Sequence, residues 1–369
     1  MKRISMATPV FNGNEKKYLN ECIDTGWVSA NGKFITEFEE KFAEYCGVKY
    51  AVTCANGTVS LHLILKALGV KEGDEVIMPT LTYIATANST RYCGATPVFV
   101  DSDENTYNID VAKIEEKITE RTKAIIPVHL YGLPADMKEI NELARKYNLK
   151  VVEDTAEAHG AEIDGQRTGS FGVANSFSFF GNKIITTGEG GIITTNNKEL
   201  YKYMKFLRGQ GVSADKRYWH SEVGFNYRMT NMQAALGVGQ LEKIEWHLSE
   251  RKRVHDLYKK FLGKLEGEFI AFQGNPRDYK HSYWMTCITL TDKVLKHRDQ
   301  VMQEMESKGI EMRPLFYPMH VMPPYFDADG YYPVAEKLSE RGICLPSHAL
   351  LTEEDVKYVV ETLEEIVVD

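Results

Sequence analysis

The stretch KVVEDTAEAHGA, residues 150–161, decides the fold. It opens as a short apolar run with paired valines, stops at Asp154, and continues in small and polar residues suited to a loop. A strand of this kind, lying between helical patterns, is one unit of a βαβ repeat.

Outward from it, the same alternation runs from about residue 48 to 195. YAVTC (50–54) leads into the helical pattern TVSLHLILKALG (58–69), and EVIMP (75–79) into YIATANSTRYCG (83–94). TPVFV (96–100), a helix over VAKIEEKIT (111–119), AIIPVHL (124–130) and a helix over MKEINELARKYN (137–148) follow. The strands are nearly continuous apolar runs, as expected where helices cover both faces of a mainly parallel sheet. NSFSFF (175–180) and GGIITTN (190–196) read as two more strands bracketing a loop. After Thr230 the pattern turns helical over TNMQAALGVGQLEKIEWHLSERKRVHDLYKKFLGKL (230–265), with Met232, Leu236, Leu241 and Ile244 at apolar positions. The expected organisation is a large α/β domain over 1–240, including an N-terminal helical segment, and a small C-terminal α+β domain over 241–369. The small domain should hold a strand at SYWMTCITL (282–290) and helices at HRDQVMQEMESKG (297–309) and TEEDVKYVVETLEEIV (352–367).

The chain has 369 residues, 43% of them hydrophobic, with 52 acidic against 44 basic residues and a net charge of −8. With no Lys/Arg block, that balance argues against a nucleic-acid partner. The six cysteines are scattered without CxxC or zinc-ligand spacing, so free buried thiols and no metal are expected. No apolar signal core or run of ~20 apolar residues occurs, so the expectation is a soluble cytoplasmic protein without membrane contact.

The bracketed loop lies in FFGNKIITTGEGG (179–191) and contains Lys183. A phosphate-binding P-loop needs GxxxxGK followed by Ser or Thr, whereas Ile184 follows this lysine and the glycines come after it. Taken alone, Lys183 reads as a surface lysine. Its company argues otherwise. Open α/β sheets bind ligands beyond the carboxyl ends of their strands, and Asp154 and Lys183 both fall at such ends. In TCANGTVSLHL (53–63), Asn56-Gly57-Thr58 opens a helix, which serves equally as a phosphate seat or as an ordinary cap. Tyr83 follows another strand end, where an aromatic either packs into the core or stacks on a ligand. A loop lysine, a strand-end carboxylate, a phosphate seat and a flat aromatic together match pyridoxal 5'-phosphate.

At these residues the chain resembles the DegT/DnrJ/EryC1/StrS family of pyridoxal-phosphate sugar aminotransferases, of fold type I (aspartate aminotransferase-like). The resemblance runs from YLNECIDTGWVSANGKFITEFEEKFAEYCGV (18–48) through ANGTVSLHL, VVEDTAEAHGA and SFSFFGNKIITTGEGG. It continues in RYWH (217–220), GFNYRMTNMQAALGVGQL (224–241), HSYW (281–284), FYPMH (316–320) and CLPSH (344–348). FSFFGNK, RYWH and NYRMTN resemble the branch that aminates a GDP-linked sugar.

The resemblance implies that Lys183 holds the cofactor covalently and then moves the proton, while Asp154 keeps the pyridine nitrogen protonated. Gly57, Thr58 and Ser178 would hold the phosphate, Tyr83 would lie over the ring, and Glu157 would stand near the 3-oxygen. Asn226 would reach the phosphate in the other subunit of a homodimer with shared active sites. Trp27, Ser29, Arg228, Tyr317 and His320 would line the sugar-nucleotide pocket, and His220 is as readily a surface histidine. The implied partners are L-glutamate and a nucleotide-linked 4-keto-6-deoxy sugar, foremost GDP-4-keto-6-deoxy-D-mannose, with a dTDP- or UDP-linked keto sugar as the alternative.

Overall fold

A computed structural model describes residues 3–213 and 215–368. The larger sheet is built from β1 (Tyr50–Cys54), β2 (Glu75–Pro79), β3 (Thr96–Val100), β4 (Thr122–Ile125) and β5 (Lys150–Asp154), then two further strands beyond a small ribbon. The ribbon pairs β6 (Glu162–Ile163) with β7 (Gln166–Arg167), and the sheet resumes with β8 (Ala174–Ser178) and β9 (Gly191–Thr195). Its strand order is β1-β9-β8-β5-β4-β2-β3. All neighbours from β8 to β3 pair in parallel, and β9 alone runs antiparallel to both of its neighbours. The sheet is thus mainly parallel, as expected, and β2 is buried along its whole length.

Helices α1 (Glu15–Thr25), α2 (Lys33–Cys46), α3 (Gly57–Ala67), α4 (Ala85–Tyr92), α5 (Met137–Lys146) and α6 (Lys198–Arg208) accompany this sheet. α5 shows why they form: Met137, Ile140 and Ala144 recur at helical spacing and are buried, while Asp136 caps the first turn. The reversed direction of β9 matters for function. The turn from β8 into β9 carries residues 179–190, so Lys183 lies on the same sheet edge as the carboxyl ends of β1, β5 and β8.

Two expectations for the helices need correction. The segment 111–119 is not a helix but two 3-10 turns, Val111–Lys113 and Glu115–Lys117. Tertiary contacts override its helical pattern: Ile114 is fully buried and Lys113 Nζ lies 3.0 Å from the buried carboxylate of Asp101. The segment 230–265 divides into α7 (Asn231–Leu241) and α8 (Ile244–Leu262). At the break, the Glu242 carboxylate accepts hydrogen bonds from Asn14 Nδ2 and Tyr18 Oη, each 2.7 Å long.

The C-terminal part carries a second, antiparallel sheet of β10 (Ile270–Phe272), β11 (Thr286–Leu290), β12 (Arg313–Pro314) and β13 (Gly342–Leu345), in the order β10-β11-β13-β12. Helices α9 (Arg298–Ser307), α10 (Pro333–Arg341) and α11 (Glu353–Val368) complete it. α8 bridges the two cores, giving Leu248 to the larger and Val254, Tyr258 and Leu262 to the smaller. The N-terminal Ile4 also joins the smaller core, through a bridge to Ile310. Trp284 and Met285, just before β11, pack into the larger core and bring the second sheet up to the Lys183 edge.

Candidate active site

Alternation along β5 sends its last two carboxylates to opposite faces. Glu153 is fully buried, accepts the amides of Gly169, Phe171 and Gly172, and lies 2.9 Å from His129 Nε2. His129 Nδ1 accepts the Ala135 amide, so Nε2 carries the proton and donates to Glu153. This bracing fixes the strand end from which Asp154 projects.

Asp154 Oδ2 accepts a 2.8 Å hydrogen bond from Thr86 Oγ1, and Oδ1 accepts the Ala156 amide. Burial raises its pKa, and the Thr86 bond is the largest opposing influence. Three residues on, Glu157 Oε2 accepts the Tyr131 amide at 2.7 Å while Oε1 lies 3.8 Å from Lys183 Nζ. Tyr131 reaches this position in the left-handed region, at φ 57. Gly132 follows at φ 106, where a Cβ would come within 2.5 Å of Ser282 Oγ.

Burial lifts the Glu157 carboxyl to about 7, although the neighbouring lysine pulls it down. The same burial holds the Lys183 amine below its ordinary pKa, although Glu157 and Asp154 pull it up. A lysine of this kind carries a free amine nearer neutral pH than a surface lysine does. His159, its ring against Phe177 and Phe179, is pushed down to about 3 and stays neutral.

The expected phosphate residues also converge. Asn56 caps α3 by accepting the Val59 amide, which leaves the leading amides of Gly57 and Thr58 pointing out of the helix. Cap and phosphate seat are therefore compatible readings of the same turn. A Cβ on Gly57 would stand 2.8 Å from Ser178 Cβ, so the helix start and the end of β8 form one tight cradle. Ser60 and Ser176 hydroxyls meet beneath it. Two free amides, a hydroxyl, a buried carboxylate and a buried amine of lowered pKa fit pyridoxal phosphate in its phosphate, ring and carbonyl chemistry. Among the described residues no group of three or more His, Cys, Asp or Glu could hold a metal ion.

The remaining expected residues make contacts of their own. Tyr83 is 59% exposed, with its ring 5.9 Å from that of Phe316. Asn226 and Arg228 are exposed on the segment that pairs with Gly209, and no hydrogen bond within the chain engages either side chain among the described residues. Trp27 and Ser29 are exposed, on a loop whose Trp27 and Ser29 carbonyls accept Asn231 Nδ2 and Asn231 N, each at 2.7 Å. Tyr317 is half exposed and accepts from Arg298 Nη2. His320 does not face open space: it is buried, with Nδ1 2.7 Å from Thr80 Oγ1 and Nε2 3.0 Å from Glu336 Oε1. His220 is exposed and donates from Nδ1 to the Gln210 carbonyl.

Sequence reasoning passed over Thr86, Tyr131, Asn231, Arg251 and Trp284. Trp284 stood within the HSYW motif and Asn231 within NYRMTN, but nothing in those strings shows what they touch. The others had no local signal.

Comparison with known proteins places this geometry. Residues 10–364 match the DegT/DnrJ/EryC1/StrS aminotransferase family. The chain is 52% identical to the GDP-perosamine synthase of Caulobacter vibrioides, over 100% of this chain and 99% of that protein. It is 48% identical to the GDP-perosamine synthase of Escherichia coli O157:H7, over 100% of both. The solved structure of Helicobacter pylori PseC, an aminotransferase involved in pseudoaminic acid biosynthesis, superposes with a TM-score of 0.94 at 27% identity, covering 99% of each chain. With a lysine–carboxylate site on a fold type I scaffold and a match along nearly its whole length, the chain belongs to the DegT/DnrJ/EryC1/StrS aminotransferase family.

Proposed function

We propose that this protein transfers the amino group of L-glutamate to C4 of GDP-4-keto-6-deoxy-D-mannose, forming GDP-perosamine, with pyridoxal 5'-phosphate as cofactor. The buried Asp154–Glu157–Lys183 group carries the aminotransferase reading, and the full-length relatives support the acceptor. The reading extends to a homodimer in the cytoplasm supplying surface polysaccharide such as O-antigen, and to a division of the chain into domains 1–240 and 241–369. No helix among the described residues is long and apolar enough to cross a membrane.

Bound pyridoxal phosphate supplies an electron sink for the carbanion left when a proton leaves the carbon bearing the donor's amine. The chain's part is binding and proton handling. Gly57 and Thr58 amides with Ser178 Oγ hold the phosphate, and the start of α3 adds its positive end. Asp154 keeps a proton on the pyridine nitrogen, its carboxylate oriented by Thr86 Oγ1. Lys183 Nζ, once free, takes the proton from the donor's α-carbon and passes it on within that half-reaction, and in the second half-reaction delivers one to C4 of the sugar. Burial suits it to that exchange near neutral pH. Glu157 stays fixed by the Tyr131 amide, with one oxygen facing the amine. Trp27, Ser29, Arg228 and Tyr317, all exposed, are the residues available to a sugar nucleotide. Tyr83 is available to the ring, and Asn226 to a partner's phosphate. His320 is held between Thr80 and Glu336.

The test is incubation with glutamate and either GDP-4-keto-6-deoxy-D-mannose or dTDP-4-keto-6-deoxyglucose at equal concentration, with products detected by mass. Faster amination of the GDP sugar is expected. Faster reaction of the dTDP sugar overturns the acceptor and leaves the aminotransferase reading standing.

A further inference from the structure

Lys183 Nζ stands 3.9 Å from the centre of the Trp284 ring, over its face. Trp284 is 4% exposed and is tied to the lysine's own segment: its Nε1 donates to the Asn182 carbonyl at 2.8 Å. Arg251 closes the arrangement from the backbone side, donating from Nη1 to the carbonyls of Trp284 and Ser347 and from Nη2 to that of Lys183. Tyr131 stacks with the indole, its ring 6.2 Å away and 12° from parallel. Three separate contacts thus fix an aromatic face under the amine, more than filling space requires.

We propose that Trp284 is a positioning residue that seats the charged amine of Lys183 whenever the lysine is free of cofactor. The proposal rests on the reading of Lys183 as the cofactor lysine. A ring face attracts an ammonium through its quadrupole, and the attraction is strongest where water is excluded. It has no comparable hold on the uncharged nitrogen. During amino transfer the lysine must leave the cofactor, carry a proton and return; a seat for the charged form keeps Nζ in one place between those events. The groups facing Nζ are Glu157 and Asp154, which favour its charge, and His159, which is neutral; the Arg251 cation holds the lysine's carbonyl. Glu157 and Trp284 thus hold the amine together, one by charge and one by the ring face.

The test uses full-length, cofactor-free protein. Acetic anhydride labels free amines, and mass analysis of the Lys183 peptide across pH gives the midpoint at which the amine loses its proton. Replacing Trp284 by tryptophans with one to four ring fluorines keeps its shape while draining its face of negative charge. The midpoint should fall stepwise along the series, and Trp284→Leu should lower it by roughly half to one pH unit. Trp284→Phe should fall between, and in the cofactor-loaded enzyme the same series should lower kcat with little change in KM. A midpoint constant across the fluorinated series overturns the proposal, and this series remains informative if the leucine variant does not fold. Because labelling needs neither cofactor nor sugar, a stepwise fall in a protein that fails to aminate any keto sugar would sink the proposed function while leaving the seat intact.

Discussion

Lys183 Nζ and Glu157 Oε1 face each other across 3.8 Å in a site where both side chains are almost wholly buried. Burial works on the two in opposite directions, raising the carboxyl to about 7 and lowering the amine, so that near neutral pH each charge depends on the other.

Glu157→Gln removes the largest influence that favours the lysine's charge, so the amine should lose its proton at lower pH. The acid limb of kcat, which reports groups in the enzyme–glutamate complex where the amine is free, should therefore move to lower pH. Glu157 is ionised only above about pH 7, so its effect on Lys183 is present above that pH and fades below it. A pH profile measured on both proteins checks this, and an unmoved acid limb would show that Glu157 does not face the amine in the working enzyme.

Thr86→Val deletes the hydrogen bond that most lowers the pKa of Asp154, so the carboxyl should become harder to ionise. Turnover at saturating cofactor should drop roughly tenfold, in keeping with a bond to a charged group. Asp154→Ala should lose most turnover yet retain some cofactor through the phosphate. Stopped-flow rates of the glutamate half-reaction measure both; near-normal turnover in Asp154→Ala would mean that another residue partners the pyridine.

Gly57→Ala sets a methyl 2.8 Å from Ser178 Cβ, in the cradle itself. Cofactor affinity should fall at least tenfold without loss of fold, as read by equilibrium dialysis and far-UV circular dichroism. Lys183→Ala should abolish the yellow band of the covalent linkage. A Lys183→Ala protein to which borohydride still fixes the cofactor would end the reading of Lys183 as its anchor, and a colourless, cofactor-free wild type with full activity would end the cofactor reading.

Asn226 is exposed and makes no hydrogen bond through its side chain within the chain among the described residues. Asn226→Asp should weaken cofactor binding by placing a carboxylate against a phosphate. Mixed with Lys183→Ala under conditions that exchange subunits, it should restore about a quarter of all sites, because each mixed dimer then contains one intact lysine–asparagine pair. Recovery of no activity, with exchange confirmed by mass, would return Asn226 to its own chain's site or to none.

The sequence by itself carried the alternation of strands and helices over most of 48–195, the mainly parallel sheet, the strand-end Asp154 and the loop Lys183. These depend on short-range periodicity and on where apolar runs stop, which neighbouring residues determine. It misjudged residues 111–119, whose helical spacing yields to the buried Ile114 and to the Lys113–Asp101 contact, neither visible in a local window. Its substrate residue His320 proved buried between Thr80 and Glu336, because two elements far apart in the chain close over it.

Only the tertiary structure brought Trp284, just before β11, under Lys183, turned the Tyr131 amide toward Glu157, and set Arg251 across three carbonyls. The physical reason is that residue types name the chemistry a site can do, while protonation depends on distance and on exclusion of water. The pKa of Lys183 is a product of burial and of carboxylates delivered by a different strand, and that delivery exists only once the chain has folded.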